Sequence, residues 1–260
     1  MRYFKAIVEY DGTDFSGFQR QQGARTVQET LETAIEKRTE QAVTLACAGR
    51  TDAGVHGWGQ VISFQAETKI PIESMAYALN SALPRDVTVR KAEEAEPSFH
   101  ARFSASSRIY GYLILNRDTP SALWRRYSAF HPAPLEIEAM QRAGSLILGE
   151  RDFASFTKER KPDHTTMREM LSCRVRRYHD FVIVRVEANA FLRGMVRNLV
   201  GTLLEVGTGK RSPESIVEIL EAQDRRMAGP MAPPQGLCLL KVRYGERKDY
   251  TRREGKTEET

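Results

Sequence analysis

Three short stretches hold the residues whose types and spacing can do chemistry. The first is Gly49-Arg50-Thr51-Asp52-Ala53-Gly54-Val55-His56, with one carboxylate in a glycine-flanked connection between two strand-like runs. An Asp-Ala-Gly of this kind caps a turn that Gly54 completes. The same carboxylate, ionised in a pocket, is a nucleophile. Both readings stand on this stretch taken alone.

The second stretch is Ala190-Phe191-Leu192-Arg193-Gly194-Met195-Val196-Arg197-Asn198-Leu199-Val200-Gly201. Written as a helix, it stacks positions 190, 194, 197 and 201 on one face, reading Ala, Gly, Arg, Gly. Small residues let another element approach closely, here directly over a guanidinium. Arg197 is therefore a candidate fork for a carboxylate or a phosphate, or a surface arginine beside packing glycines. In the third stretch, Ser107 to Leu115, a strand puts Arg108, Tyr110 and Tyr112 on one face. Such a face suits base stacking, or an ordinary sheet whose hydroxyls reach water.

Other chemistries lack their signals. Gly207-Thr208-Gly209-Lys210 imitates the end of a phosphate-binding loop, but Leu204 stands where a glycine is required and Arg211 where Ser or Thr is required. Those glycines suit a helix C-terminus, with Lys210 and Arg211 complementing its dipole. No Gly-x-Gly-x-x-Gly follows a strand, and the five histidines have no metal spacing. No cofactor or metal is expected.

The elements that must position these residues alternate along 260 residues, enough for one large or two ordinary domains. Strands are expected at 2–10, 43–48, 60–65 and 86–91. Helices are expected at 26–38, where Thr26 and Glu29 form a capping box, and at 72–83. The order is β-α-β-β-α-β, the split pattern of ferredoxin-like folds. It recurs with strands at 108–116, 174–178, 181–187 and 237–242 and helices at 137–148 and 191–206. One more helix is inserted after Ser212-Pro213-Glu214. The class is α+β, with an N-terminal half over 1–106, a C-terminal half over 107–246 and a charged tail over 247–260. Two copies of one topology suggest two sheets meeting at a cleft.

Composition sets the setting. Hydrophobic residues make up 41% and charged residues 28%, a soluble globular profile, and no run approaches the roughly 18 apolar residues of a membrane span. The chain opens directly into a strand, so no signal peptide is expected. Three scattered cysteines suggest buried thiols in a reducing compartment, the cytoplasm. The net charge of +5 is modest, but it is clustered at Arg125-Arg126, Lys158 with Arg160-Lys161, Arg174 with Arg176-Arg177, and Lys210-Arg211. These fall in or beside loops, where phosphates are contacted, although by charge alone a solvated surface is the simpler reading. Phe15 and Phe18, in a loop beside Arg20, either touch a nucleic-acid partner or pack inward.

Taken together, the sequence resembles the TruA family of tRNA pseudouridine synthases over roughly residues 3 to 245. The likeness rests on Tyr10-Asp11-Gly12-Thr13-Asp14-Phe15-Ser16-Gly17-Phe18-Gln19, on the Asp52 and Arg197 stretches, and on Arg108-Ile109-Tyr110-Gly111-Tyr112. The resemblance implies two ferredoxin-like halves in a pseudosymmetric antiparallel sheet, with helices on one face and a basic cleft between the halves. It implies a homodimer that binds tRNA by its anticodon arm and body. The reaction it implies is isomerisation of uridine to pseudouridine at positions 38, 39 and 40, without cofactor. Asp52 matches the family's essential aspartate, Tyr110 its active-site tyrosine, Arg197 the arginine paired with the aspartate, and Arg50 the arginine linked to flipping the base. Two other readings compete. One is a non-catalytic tRNA-binding module on the same scaffold. The other is a hydrolase, although glycosidases use two flanking carboxylates and this motif offers one.

Overall fold

In the computed structural model, residues 1–158 and 165–245 are described. The expected cluster members Arg160 and Lys161 and the tail over 247–260 lie outside them. Strand β1 (Arg2–Tyr10) alternates as its sequence demands: Phe4, Ala6, Val8 and Tyr10 turn inward. Helix α1 (Val27–Thr39) lays Val27, Leu31 and Ile35 against them, one stripe at helical spacing. The Thr26 hydroxyl caps it by accepting the Glu29 N–H at 3.4 Å. Strand β2 (Ala46–Cys47), strand β3 (His56–Ala66), helix α2 (Ile72–Asn80) and strand β4 (Val87–Glu94) complete this part.

Strand β5 (Ala105–Leu115) opens the second part, followed by the short β6 (Ala129–Phe130), helix α3 (Ile137–Leu146) and β7 (Gly149–Asp152). The long hairpin of β8 (Met167–Tyr178) and β9 (Phe181–Ala188) leads to helix α4 (Met195–Gly207), helix α5 (Ser215–Ala222) and β10 (Leu237–Tyr244). Val182, Val184 and Val186 of β9 meet Leu199, Leu203 and Val206 of α4 and Met140 of α3 in a second core. Gly207 ends α4 without a side chain because Met140 and Leu135 occupy that space: a Cβ there would sit 2.7 Å from the Met140 sulfur.

The expectation of two sheets is corrected. All ten strands join one sheet in the order β4-β1-β3-β10-β5-β9-β8-β7, with β2 on β3 and β6 on β5. It is mostly antiparallel; β10 pairs in parallel with β3 through Cys238↔His56 and Leu239↔Gly57, and β6 with β5. Glycines permit the β3–β10 seam. A Cβ on Gly59 would lie 2.4 Å from the Leu240 carbonyl oxygen, and one on Gly57 would lie 2.5 Å from the Tyr10 ring.

Several boundaries also move. The strand expected at 43–48 pairs only at Ala46–Cys47, since the Glu32 carboxylate takes the Leu45 N–H at 3.2 Å where a strand neighbour would have been. The strand expected at 174–178 begins earlier, at Met167, and carries Arg174, Arg176 and Arg177 toward the β8–β9 turn as expected. Phe15 and Phe18 are buried, so their loop packs inward. None of the helices among the described residues is long and apolar enough to cross a membrane, and the three thiols are free.

Candidate active site

The loop over 48–55 is held from both sides. The segment after β1 wraps it closely: the Phe18 N–H donates to the Thr51 carbonyl at 3.0 Å, and the Gly54 N–H to Phe15 at 3.4 Å. Gly12 makes this wrap possible, since a Cβ there would fall 2.0 Å from the Val55 carbonyl oxygen. Below the loop lies a buried polar set. Gln60 accepts the Gly49 N–H at 3.4 Å and donates to its carbonyl at 2.6 Å. The Thr51 hydroxyl shares a hydrogen bond of 2.8 Å with the Tyr10 hydroxyl. With Thr51 turned inward, the neighbouring Asp52 faces out, its side chain 28% exposed.

His56 closes the far end of the loop. Its Nδ1 accepts the Gly12 N–H at 3.1 Å, so the ring proton is on Nε2, which faces the carbonyls of Arg126 at 2.8 Å and Gln235 at 3.2 Å. The same Nδ1 lies 3.2 Å from the Asp11 Oδ1. This contact also sets Arg125-Arg126 beside the loop.

Arg197 approaches from the other part of the chain. Helix α4 begins at Met195 and not at residue 191, because Gly194 takes a left-handed φ of +69° and breaks the run. Positions 190 and 194 therefore lie outside the helix, while Arg197 and Gly201 share its face toward the strap over 229–236. The Arg197 Nε donates to the Ala232 carbonyl at 2.8 Å, and the Ala232 N–H donates back to the Arg197 carbonyl at 3.0 Å. Held by this exchange, Nη1 lies 3.2 Å from the Asp52 Oδ2. The strap also packs Pro234 on Gly54. Sequence reading missed it, although its Pro/Gly-rich composition, Gly229-Pro230-Met231-Ala232-Pro233-Pro234-Gln235-Gly236, marks a loop.

Gly201 is the seat of the strap, since a Cβ there would lie 1.6 Å from the Pro230 carbonyl oxygen. Gly201→Ala is expected to lower stability by about 1–3 kcal/mol through overpacking and to cut turnover by moving Ala232 off Arg197. Thermal unfolding and an activity assay on one preparation check both effects.

Tyr110 reaches the same place from β5. It is buried, packs edge-on against Phe191 at 5.1 Å, and its hydroxyl would be 3.4 Å from a Cβ on Gly49. Burial pushes its hydroxyl well above the ordinary tyrosine range, with the Asp52 charge adding to the effect and Arg108 opposing it. Among the described residues that hydroxyl has no hydrogen-bond partner. Arg50 is exposed and makes no ion pair with Asp52 among the described residues.

The stacking face imagined for β5 is corrected. Tyr112 is fully buried, its ring against Gly236 and its hydroxyl donating to Pro233 at 2.7 Å. Arg108 is buried as well, and it grips backbone carbonyls of Ala48, Arg102, Ala105 and Asn189. Its charge organises the turn before Gly49 and contacts nothing outside the fold. The phosphate-loop imitation is a helix end: Gly209 has a φ of +74°, and the Lys210 N–H donates to Glu205 at 2.9 Å.

This arrangement has relatives. A family model described as tRNA pseudouridine synthase matches residues 6–104 and 143–245, which carry the Asp52 loop and the Arg197 helix. The chain is 44% identical over 246 residues to tRNA pseudouridine synthase A of Syntrophomonas wolfei, covering 95% of this chain and 99% of that one. It is 45% identical to that of Thermoanaerobacter sp. strain X514, over 94% and 100%. It is 43% identical to that of Alcanivorax borkumensis, over 92% and 90%. A carboxylate and a guanidinium drawn from distant parts of the chain, and similarity along nearly its whole length, lead to one conclusion: the chain belongs to the tRNA pseudouridine synthase family.

Proposed function

We propose that Asp52 is the nucleophile with which this enzyme isomerises uridine to pseudouridine, and that the uridines are those at positions 38, 39 and 40 of the anticodon arm. The observation that carries the reading is a half-exposed carboxylate held 3.2 Å from a guanidinium that the Ala232 carbonyl fixes in place. A free acid on a flexible loop would suit a turn; one aimed by a locked arginine suits attack on a bound substrate.

The reaction breaks the bond from C1′ to N1, turns the uracil and forms the bond from C1′ to C5. Asp52 either attacks C1′ as the base leaves or assists elimination to a glycal; both need a carboxylate aimed at C1′, and the Arg197 Nη1, 3.2 Å away, holds it in place. Once C5 is bonded, its proton must pass to a base. Tyr110, its hydroxyl held in the neutral form by burial, organises the transfer of that proton to water or to the Asp52 carboxylate, which is free again once the bond from C1′ to C5 has formed. The target base must first leave its stack, which costs a few kcal/mol, and the exposed Arg50 fills the gap.

The chain is read as two halves, 1–106 and 107–246. The orders β4-β1-β3-β2 and β10-β5-β9-β8 support this, each being the same path through a split β-α-β-β-α-β unit. Asp52 comes from the first half and Tyr110 and Arg197 from the second, so the catalytic groups meet at the seam. A basic cleft there and a homodimer holding one tRNA in the cytoplasm complete the proposal.

Release of tritium from a tRNA transcript carrying 5-³H-uridine tests it. The wild type should release label, and Tyr110→Phe should lose most of that release while keeping tRNA affinity. Equal losses in release and affinity would reduce Tyr110 to a stacking role. No release by the wild type from several tRNAs with uridine at 38 to 40 would defeat the synthase reading.

A further inference from the structure

The turn His100-Ala101-Arg102-Phe103-Ser104 has no part in the chemistry above, yet it is tied to the catalytic loop. It closes tightly: the Ser104 N–H donates to the His100 carbonyl at 2.9 Å, and the His100 N–H to the Ser104 hydroxyl at 3.0 Å. The His100 Nδ1 accepts the N–H groups of Arg102 at 3.1 Å and Phe103 at 3.3 Å. Ala101 at its centre is fully buried. Its N–H donates to the Ser63 hydroxyl at 3.0 Å, and its carbonyl accepts the Tyr244 hydroxyl at 2.8 Å. Ser63 pairs with Ala46 of β2, the strand that runs into the Asp52 loop. Arg108 completes the link by holding the Arg102 carbonyl and the Ala48 carbonyl with one guanidinium.

On this rigid turn the Phe103 ring is 76% exposed. A single exposed apolar side chain needs no explanation by itself. Here, however, the backbone is pinned at every residue and the ring is braced. The His100 ring lies 4.4 Å from it, tilted by 32°, and the Arg102 guanidinium lies 5.5 Å from its centre. Arg102 and Arg50 both stand near Cys47: burial pushes that thiol up to about 11, and the two arginine charges oppose the shift. An open aromatic face, the Arg102 guanidinium beside it and a rigid link to the loop that carries Asp52 fit one ligand chemistry, an unstacked nucleobase with its phosphate.

We propose that Phe103, braced by His100 and Arg102, is a stacking platform for a base next to the uridine that enters the site, with Arg102 on the adjoining phosphate. This rests on the synthase reading and adds a binding subsite to it. The platform holds the strand from which the target is taken, so that extrusion of one base does not release its neighbours.

The test uses the full chain and an unmodified tRNA transcript, with Phe103→Ala, Phe103→Tyr and Arg102→Ala beside the wild type. Phe103→Ala is expected to weaken tRNA binding by about tenfold, as loss of one stacked base requires. Phe103→Tyr should bind like the wild type. Arg102→Ala should lower the slope of log affinity against log salt by about one, a change Phe103→Ala should not produce. Unfolding temperatures should stay constant, since the ring is exposed. Wild-type affinity in Phe103→Ala would overturn the platform, as would a loss accompanied by a change in oligomeric mass, which would make the ring a protein contact. An inactive wild type in the same assay would instead defeat the synthase reading, so the two failures are distinct.

Discussion

Asp52→Asn is expected to bind tRNA within about threefold of the wild type, because phosphate contacts carry most of the affinity, and to lose turnover by about four orders of magnitude or more. The substitution is nearly isosteric. An amide oxygen still accepts from the Arg197 Nη1, 3.2 Å away in the parent, so the loop and strap have no reason to move. The pair is partly exposed, with side chains 15% and 28% accessible, and losing it costs the fold at most about 1 kcal/mol. What disappears is the negative charge that the proposed attack on C1′ or assisted elimination requires. Single-turnover measurement with excess enzyme separates binding from chemistry. Turnover within a few-fold of the wild type would remove Asp52 from the reaction and leave the turn-cap reading in its place.

Arg197→Lys should fail almost as badly as a neutral substitution, with a loss of about a hundredfold in the single-turnover rate and little change in affinity. The reason is geometric. Arg197 spends Nε on the Ala232 carbonyl and Nη1 on Asp52 at once, and a single ammonium cannot occupy both places with the same fork. The lysine keeps the charge but frees the carboxylate to wander, and misplacement of about 1 Å costs about a hundredfold. A wild-type rate in Arg197→Lys would mean that charge alone is used and that the lock on Ala232 is irrelevant to catalysis.

Most elements were legible from periodicity because their apolar spacing is regular: alternation in β1, a helical stripe in α1, and the β8–β9 hairpin across His179-Asp180. Errors fell where another part of the chain supplied what local pattern would have supplied. The start of β3 was missed because Gly57 and Gly59 carry no side chains to show a period; they are empty because Tyr10 and β10 fill that space. Helix α4 was begun too early because Gly194 reads as a small helical residue, and its left-handed φ shows only in the fold. The short β6 and β7, two and four residues long, carry too little pattern to detect.

The sequence by itself determined the residue types of the site, the α+β alternation and the family to which the chain belongs. Several long motifs in order carry that much information without any contact being known. Only the tertiary structure decided which residues of those motifs face the site. Arg108, Tyr110 and Tyr112 share one strand face and look alike in sequence, yet Arg108 spends its guanidinium on backbone carbonyls, Tyr112 fills the core, and Tyr110 brings its hydroxyl to Gly49 of the Asp52 loop. The cause is long-range: 145 positions separate Asp52 from Arg197, and the β3–β10 seam and the strap over 229–236 bring them together. Local propensity sets each element, but a site made of groups so far apart is set by what packs against what.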